Sequence, residues 1–141
     1  MKKNKEFLEF TPAVDYYLAA ISCHQKCHRF AWELNNALDC SFERVEDYEV
    51  ITKKGQTAAY RMFEWREVDD RFSYVLLQNK SNFGPLIPEH AKMDFLFAVA
   101  GIHAHVNAPD LLKRIKQIND VVLAYEVDAE KTESAQNLIL E

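Results

Sequence analysis

The sequence predicts an α+β fold: a two-layer sandwich with one mostly antiparallel sheet of about six strands and two helices on one face, in the order β-α-β-β-β-β-α-β. Three observations carry this expectation. Several apolar runs alternate with period two, two others repeat at three and four residues, and two of the alternating runs are spaced as a hairpin. With 141 residues, 48% of them hydrophobic and 12% aromatic, the chain has enough apolar surface for one packed core. Three glycines and four prolines leave little material for a linker, so residues 1–141 are read as one domain with an N-terminal arm at 1–10 and a tail at 129–141.

The first strand is expected over Val14 to Ile21, where successive residues alternate. Ser22 is the expected helix cap, and Cys27, Phe30, Ala31, Leu34 and Leu38 then form one apolar stripe on a helix of about 14 residues. Ser41 to Thr52 is rich in strand formers but breaks phase at Glu46 and Asp47, which predicts either one bulged strand or two short ones before a turn at Lys53 to Gln56. Thr57 to Arg66 and Phe72 to Lys80 form the predicted hairpin, joined by residues 67–71. The nearly continuous apolar run Met93 to Ile102 reads as a central strand covered on both faces. Asn107 is the expected cap of a second helix with Leu111, Leu112, Ile115 and Ile118 inward, stopping near Asn119 and Asp120. Val121 to Val127 completes the set. If Met93 to Ile102 and Val121 to Val127 run parallel in one sheet, the helix between them is a right-handed crossover.

Two short helices cover about one face of such a sheet, while the hairpin is apolar on both. Phe63 and Trp65 share one side, and Tyr60 and Met62 take the other. The aromatic residues Tyr60, Phe63, Trp65, Phe72 and Tyr74 are therefore the candidate interface, for a protein partner or a second copy of the chain. The alternative is curvature of the sheet together with the arm carrying Phe7, Leu8 and Phe10 folding over it, and a ligand pocket is a third possibility.

Chemical motifs are sparse. Cys23-His24-Gln25-Lys26-Cys27-His28 would put two thiols and two imidazoles at i and i+4 on a helix, but the two pairs point about 100° apart. Cys27 also belongs to the apolar stripe, so no metal is expected there. His103 and His105 would share one side of a strand, and are read as loop residues. Gly55, Gly84 and Gly101 are too far apart for a phosphate-binding loop, and nothing calls for a cofactor. Glu89 and Asp94 could form an acid and base pair, but at a strand entrance such carboxylates more often accept backbone N–H groups.

The net charge of −5 disfavours RNA or DNA as a partner, because nucleic-acid affinity comes from clustered cations. No run approaches the roughly 20 apolar residues of a membrane span, and the charged start is too short in apolar residues for a secretion signal. The expectation is a cytoplasmic protein with Cys23, Cys27 and Cys40 reduced.

Leu86-Ile87-Pro88-Glu89-His90-Ala91-Lys92-Met93-Asp94-Phe95, together with Leu76 to Lys80, Ala124 to Asp128 and Asn137-Leu138-Ile139, resembles the IPExxxVDY proteins, a bacterial family of unknown function. Ile87, Pro88, Glu89 and Asp94 carry the resemblance. Met93 stands where the pattern has Val and Phe95 where it has Tyr, which removes a hydroxyl from that position. The resemblance implies no activity, cofactor or catalytic residue. The residues point first to a non-enzymatic protein-interaction or accessory module. An RNA- or ribosome-associated accessory protein, with Arg61 and Arg66 among the hairpin aromatics, is the alternative. A small-molecule enzyme or sensor built around Lys80, Glu89 and Asp94 is the third reading.

Overall fold

A computed structural model describes residues 16–66, 72–101, 104–129 and 131–134. Six strands form one sheet: β1 (Tyr16–Cys23), β2 (Glu43–Ile51), β3 (Thr57–Arg66), β4 (Phe72–Gln78), β5 (Phe95–Gly101) and β6 (Val121–Val127). Helix α1 (Cys27–Leu38) follows β1, and α2 (Ala104–Lys116) joins β5 to β6. This is the predicted α+β order. The arm at 1–10, Val14, the hairpin link 67–71, His103 and Asn137 to Ile139 lie outside the described residues.

The spatial order is β2-β3-β4-β5-β1-β6, and every pairing is antiparallel. β1 lies between β5 and β6 and is antiparallel to both, so those two strands run parallel to each other without touching. The α2 crossover thus spans a strand that was made first. Because β1 is paired on both edges, it continues as strand through Ser22 to Cys23, and α1 begins only at Cys27 with Lys26 at its N-cap. Ser22 is therefore not the helix cap. The predicted inner stripe of α1 is correct, with Cys27, Phe30, Ala31, Leu34 and Leu38 all buried.

Helix α2 starts earlier than Asn107. Ala104 and Ala108, two small buried residues, seat its first turns against the sheet, and Asn107 is exposed inside the helix. Its last turn is tied to α1 where Arg114 donates from Nη2 to the Ala37 carbonyl at 2.7 Å. β2 is one bulged strand, with the register shifting between Val45 and Tyr48.

Both faces of the sheet are buried. On one, Tyr17, Ala19, Ile21, Phe63, Tyr74, Leu76, Phe95, Phe97 and Val99 meet the stripes of both helices. On the other, Tyr16, Leu18, Ala20, Val75, Leu77, Leu96 and Ala98 are covered, among the described residues, by Ile87 and Met93 with Leu86, Tyr48, Tyr125 and Ala129 around them. The connection between β4 and β5 supplies this second cover.

Candidate functional site

Asn79 organises that connection. It is fully buried just after β4, and its side chain spends its hydrogen-bonding capacity on backbone groups of one loop. Oδ1 accepts from the Ile87 N–H at 2.9 Å, and Nδ2 donates to the carbonyls of His90 and Met93, both at 3.0 Å. Its own backbone N–H and carbonyl reach Asp94 and Leu86 at 2.9 Å each. Pro88 holds Ile87 in an extended conformation and opens the one-turn 3-10 helix Pro88–His90. Ile87 and Met93 are thereby set down on the sheet as an apolar plug. Sequence reasoning singled out Ile87, Pro88 and Glu89 and gave Asn79 no role, because nothing local marks a polar residue at a strand end as buried.

Asp94 fastens the far end of the plug to β1. Its Oδ2 accepts from the Cys23 N–H at 2.9 Å and from Ser22 Oγ at 3.4 Å, while Oδ1 pairs with Lys80 Nζ at 2.8 Å. The Lys80 side chain is 54% exposed, so this ion pair adds at most about 1 kcal/mol. His90 Nδ1 meets the Tyr125 hydroxyl at 2.7 Å, which ties the turn to β6. Lys80 and Asp94 are thus brought together, but Glu89 turns away from them, its Oε2 accepting from the Ser134 N–H at 3.1 Å.

The Glu89 carboxyl lies below its ordinary range. Desolvation opposes ionisation there, but it is outweighed by hydrogen bonds from Ser134 and from the Glu89 N–H and by the nearby His90. A lowered folded-state pKa means that the stabilisation from this group is present above the unfolded value and lost as pH falls through the folded one. Glu89→Gln, which keeps the acceptor, should therefore lower the melting temperature at neutral pH less than Glu89→Ala does. Equal losses in thermal melts of the two variants would rule out the hydrogen bond to Ser134 as its contribution.

A second polar cluster joins α1 to the turn before β6. Gln25 Nε2 donates to Asp120 Oδ2 at 3.1 Å, and Glu33, 11% exposed, pairs with Arg29 at 3.5 Å. Burial raises the Glu33 carboxyl, as do a hydrogen bond with Asp120 and repulsion from it, and Arg29 offsets only part of this. Here the sign is opposite to that of Glu89. A raised acid keeps its proton to higher pH in the folded chain than in the unfolded one, so its stabilisation is complete below the unfolded pKa and is lost as pH rises through the folded one. Glu33→Gln should remove that loss, and melts over the mildly acidic range should show a smaller fall with rising pH than the parent. A variant with the parent's slope would exclude Glu33 as its source.

The cysteine and histidine motif does not form a helical metal face. Cys23 ends β1 and Cys27 begins α1, so the i and i+4 spacing falls across a bend. Burial raises the Cys23 thiol and pushes Cys27 up to about 11, so both are protonated at neutral pH. His105 lies in the first turn of α2, edge-on to Tyr17 at 6.0 Å, and not in the expected loop. Among the described residues, no group of three or more His, Cys, Asp or Glu side chains converges on one point.

The five hairpin aromatics do not make one open face. Phe63 and Tyr74 are in the core beneath the helices, with Trp65 and Phe72 packed against its margin and Trp65 stacked on Tyr74 at 4.3 Å. Tyr60 is buried on the opposite side and donates its hydroxyl to the Gly84 carbonyl at 3.1 Å. The expected aromatic interface is corrected accordingly: the β4–β5 connection closes the face that the helices leave bare. Trp65 and Phe72 remain partly exposed, whereas Tyr60, Phe63 and Tyr74 are buried.

Exposed apolar side chains occur elsewhere. Trp32 on α1, its ring covered by the Arg29 guanidinium at 4.5 Å, Ile51, Phe83 and Val106 are scattered, but Val122 (63% exposed) and Leu123 (51% exposed) are adjacent on edge strand β6. The two sheet edges differ in kind. β2 is bulged and carries five charged residues in nine, with Arg44 and Asp47 paired on it, which are devices that deter strand addition. β6 has one charge in seven, at Glu126. Among the described residues, no strand pairs with its outer side. No helix of the described residues is long and apolar enough to cross a membrane. Comparison of the sequence with protein-family models and with curated proteins found no match.

Proposed function

We propose that this chain is a non-enzymatic protein-interaction or accessory module that takes its partner along the β6 edge. The observation that carries the reading is the contrast between a charged, bulged edge at β2 and an apolar one at β6 with Val122 and Leu123 exposed. An unguarded strand edge offers a row of backbone donors and acceptors to an added strand, while alternate side chains supply selectivity. The carboxylates of Glu89 and Asp94 are engaged by backbone N–H groups, as fits a scaffold for this surface more than an acid and base pair.

The test is recovery of partners by tagged protein from its native cell, with and without ribonuclease, for the parent and for Leu123→Lys. The side chain of Leu123 is half exposed, so the lysine is accommodated without burying charge. A protein partner that survives digestion and is lost with Leu123→Lys is the expected result. Recovery that vanishes with ribonuclease, or that ignores the substitution, would overturn the reading.

A further inference from the structure

We infer that the partner at the β6 edge is a second copy of this chain, joined antiparallel across a twofold axis through Tyr125; this rests on the reading of β6 as the interacting edge. The register of β6 on β1 sets which residues take part. Ser22 pairs with Leu123 and Cys23 with Val121, which leaves Val122 as a bulged extra residue and Leu123–Val127 as the regular run. Ala20 pairs with Tyr125 and Leu18 with Val127, so Leu123, Tyr125 and Val127 lie on the face away from the helices. Ala124 and Glu126, paired with Ile21 and Ala19, lie on the helix side.

Antiparallel self-pairing centred on Tyr125 uses the whole regular run. Leu123 falls opposite Val127 of the second copy, Tyr125 opposite its counterpart, and Ala124 opposite Glu126. The apolar stripe continues unbroken from one subunit to the other, and the strand's one charge meets an alanine instead of its own copy. Electrostatics select this edge over the other: a second copy approaching β2 would set Glu43, Glu46, Asp47 and Glu49 against the same four acids, relieved only by Arg44. Pairing β2 with β6 would build an open filament, whereas the twofold closes. The product is one continuous sheet across both subunits. A seam of this length is short, so the dimer should dissociate on dilution.

Sedimentation velocity of the full chain over a dilution series tests this. The expected result is a species of twice the 16.4 kDa chain mass at the concentrated end, reverting to the single mass when diluted. Leu123→Lys should stay at the single mass throughout, while Ile51→Lys, a substitution at a still more exposed position on β2, should sediment as the parent does. Circular dichroism of both variants verifies that they are folded. A parent that is monomeric at every concentration, or a dimer that survives Leu123→Lys, would overturn the assignment. A monomeric parent whose partner recovery is abolished by Leu123→Lys would overturn the second copy alone and leave the β6 reading standing.

Discussion

Replacing Asn79 with alanine should cost roughly 3 to 5 kcal/mol, a large part of the stability of a domain this size. The side chain is fully buried and is shared among three backbone groups, the Ile87 N–H and the carbonyls of His90 and Met93. Alanine leaves the buried Ile87 N–H and Met93 carbonyl without their partner, while the His90 carbonyl keeps the Met93 N–H at 3.0 Å, and each unpartnered group costs about 1 to 3 kcal/mol. The loop could relax to reach solvent, but only by lifting Ile87 and Met93 off Leu18, Leu77 and Leu96, which exposes the core they cover. Asn79→Asp should be comparably severe, because it keeps one acceptor, loses both donors and sets a negative charge against two carbonyl oxygens. Urea unfolding of both variants measures the effect. A loss below about 1 kcal/mol for alanine would mean that the loop holds its shape without Asn79.

Much of the fold was legible because it is written in local periodicity. The five inward residues of α1 were found from their spacing, and β6 has the predicted bounds, Val121 to Val127. What local pattern missed is set by distant neighbours. Ser22 resembles a helix cap, yet β5 and β6 pair with β1 on its two sides and carry the strand past it to Cys23, where Asp94, far along the chain, accepts the backbone N–H. Asn107 resembles a cap in the same way, but Ala104 and Ala108 pack against the sheet one turn earlier, and alanines contribute little to an apolar pattern. The largest gap concerned the second face. Its bareness followed from counting helices, whereas its cover is an irregular loop whose shape depends on one buried amide. No periodicity marks such a loop. The hairpin aromatics illustrate the same point: alternation marks both sides of the hairpin as apolar, and only long-range packing, of the helices on Phe63 and Tyr74 and of the β4–β5 connection on Tyr60, buries them.

That two-sided burial makes the final expectation specific. Leu96 and Phe97 are neighbours on β5, point to opposite faces, and are both fully buried. Phe97→Ala, beneath the helices and beside Phe42 at a ring separation of 6.3 Å, should cost roughly 3 to 5 kcal/mol through lost transfer energy and the cavity left behind. A sheet with one open face would make Leu96→Ala nearly neutral, since water or a mobile partner would fill the space. A sheet sealed by Ile87 and Met93 makes it a core truncation worth roughly 2 to 5 kcal/mol. Equilibrium unfolding of the two single variants therefore separates the alternatives: similar large losses are expected, and a Leu96→Ala variant within about 0.5 kcal/mol of the parent would show that the loop does not close that face. Neither substitution touches β6, so where the fold survives, association along that edge should persist.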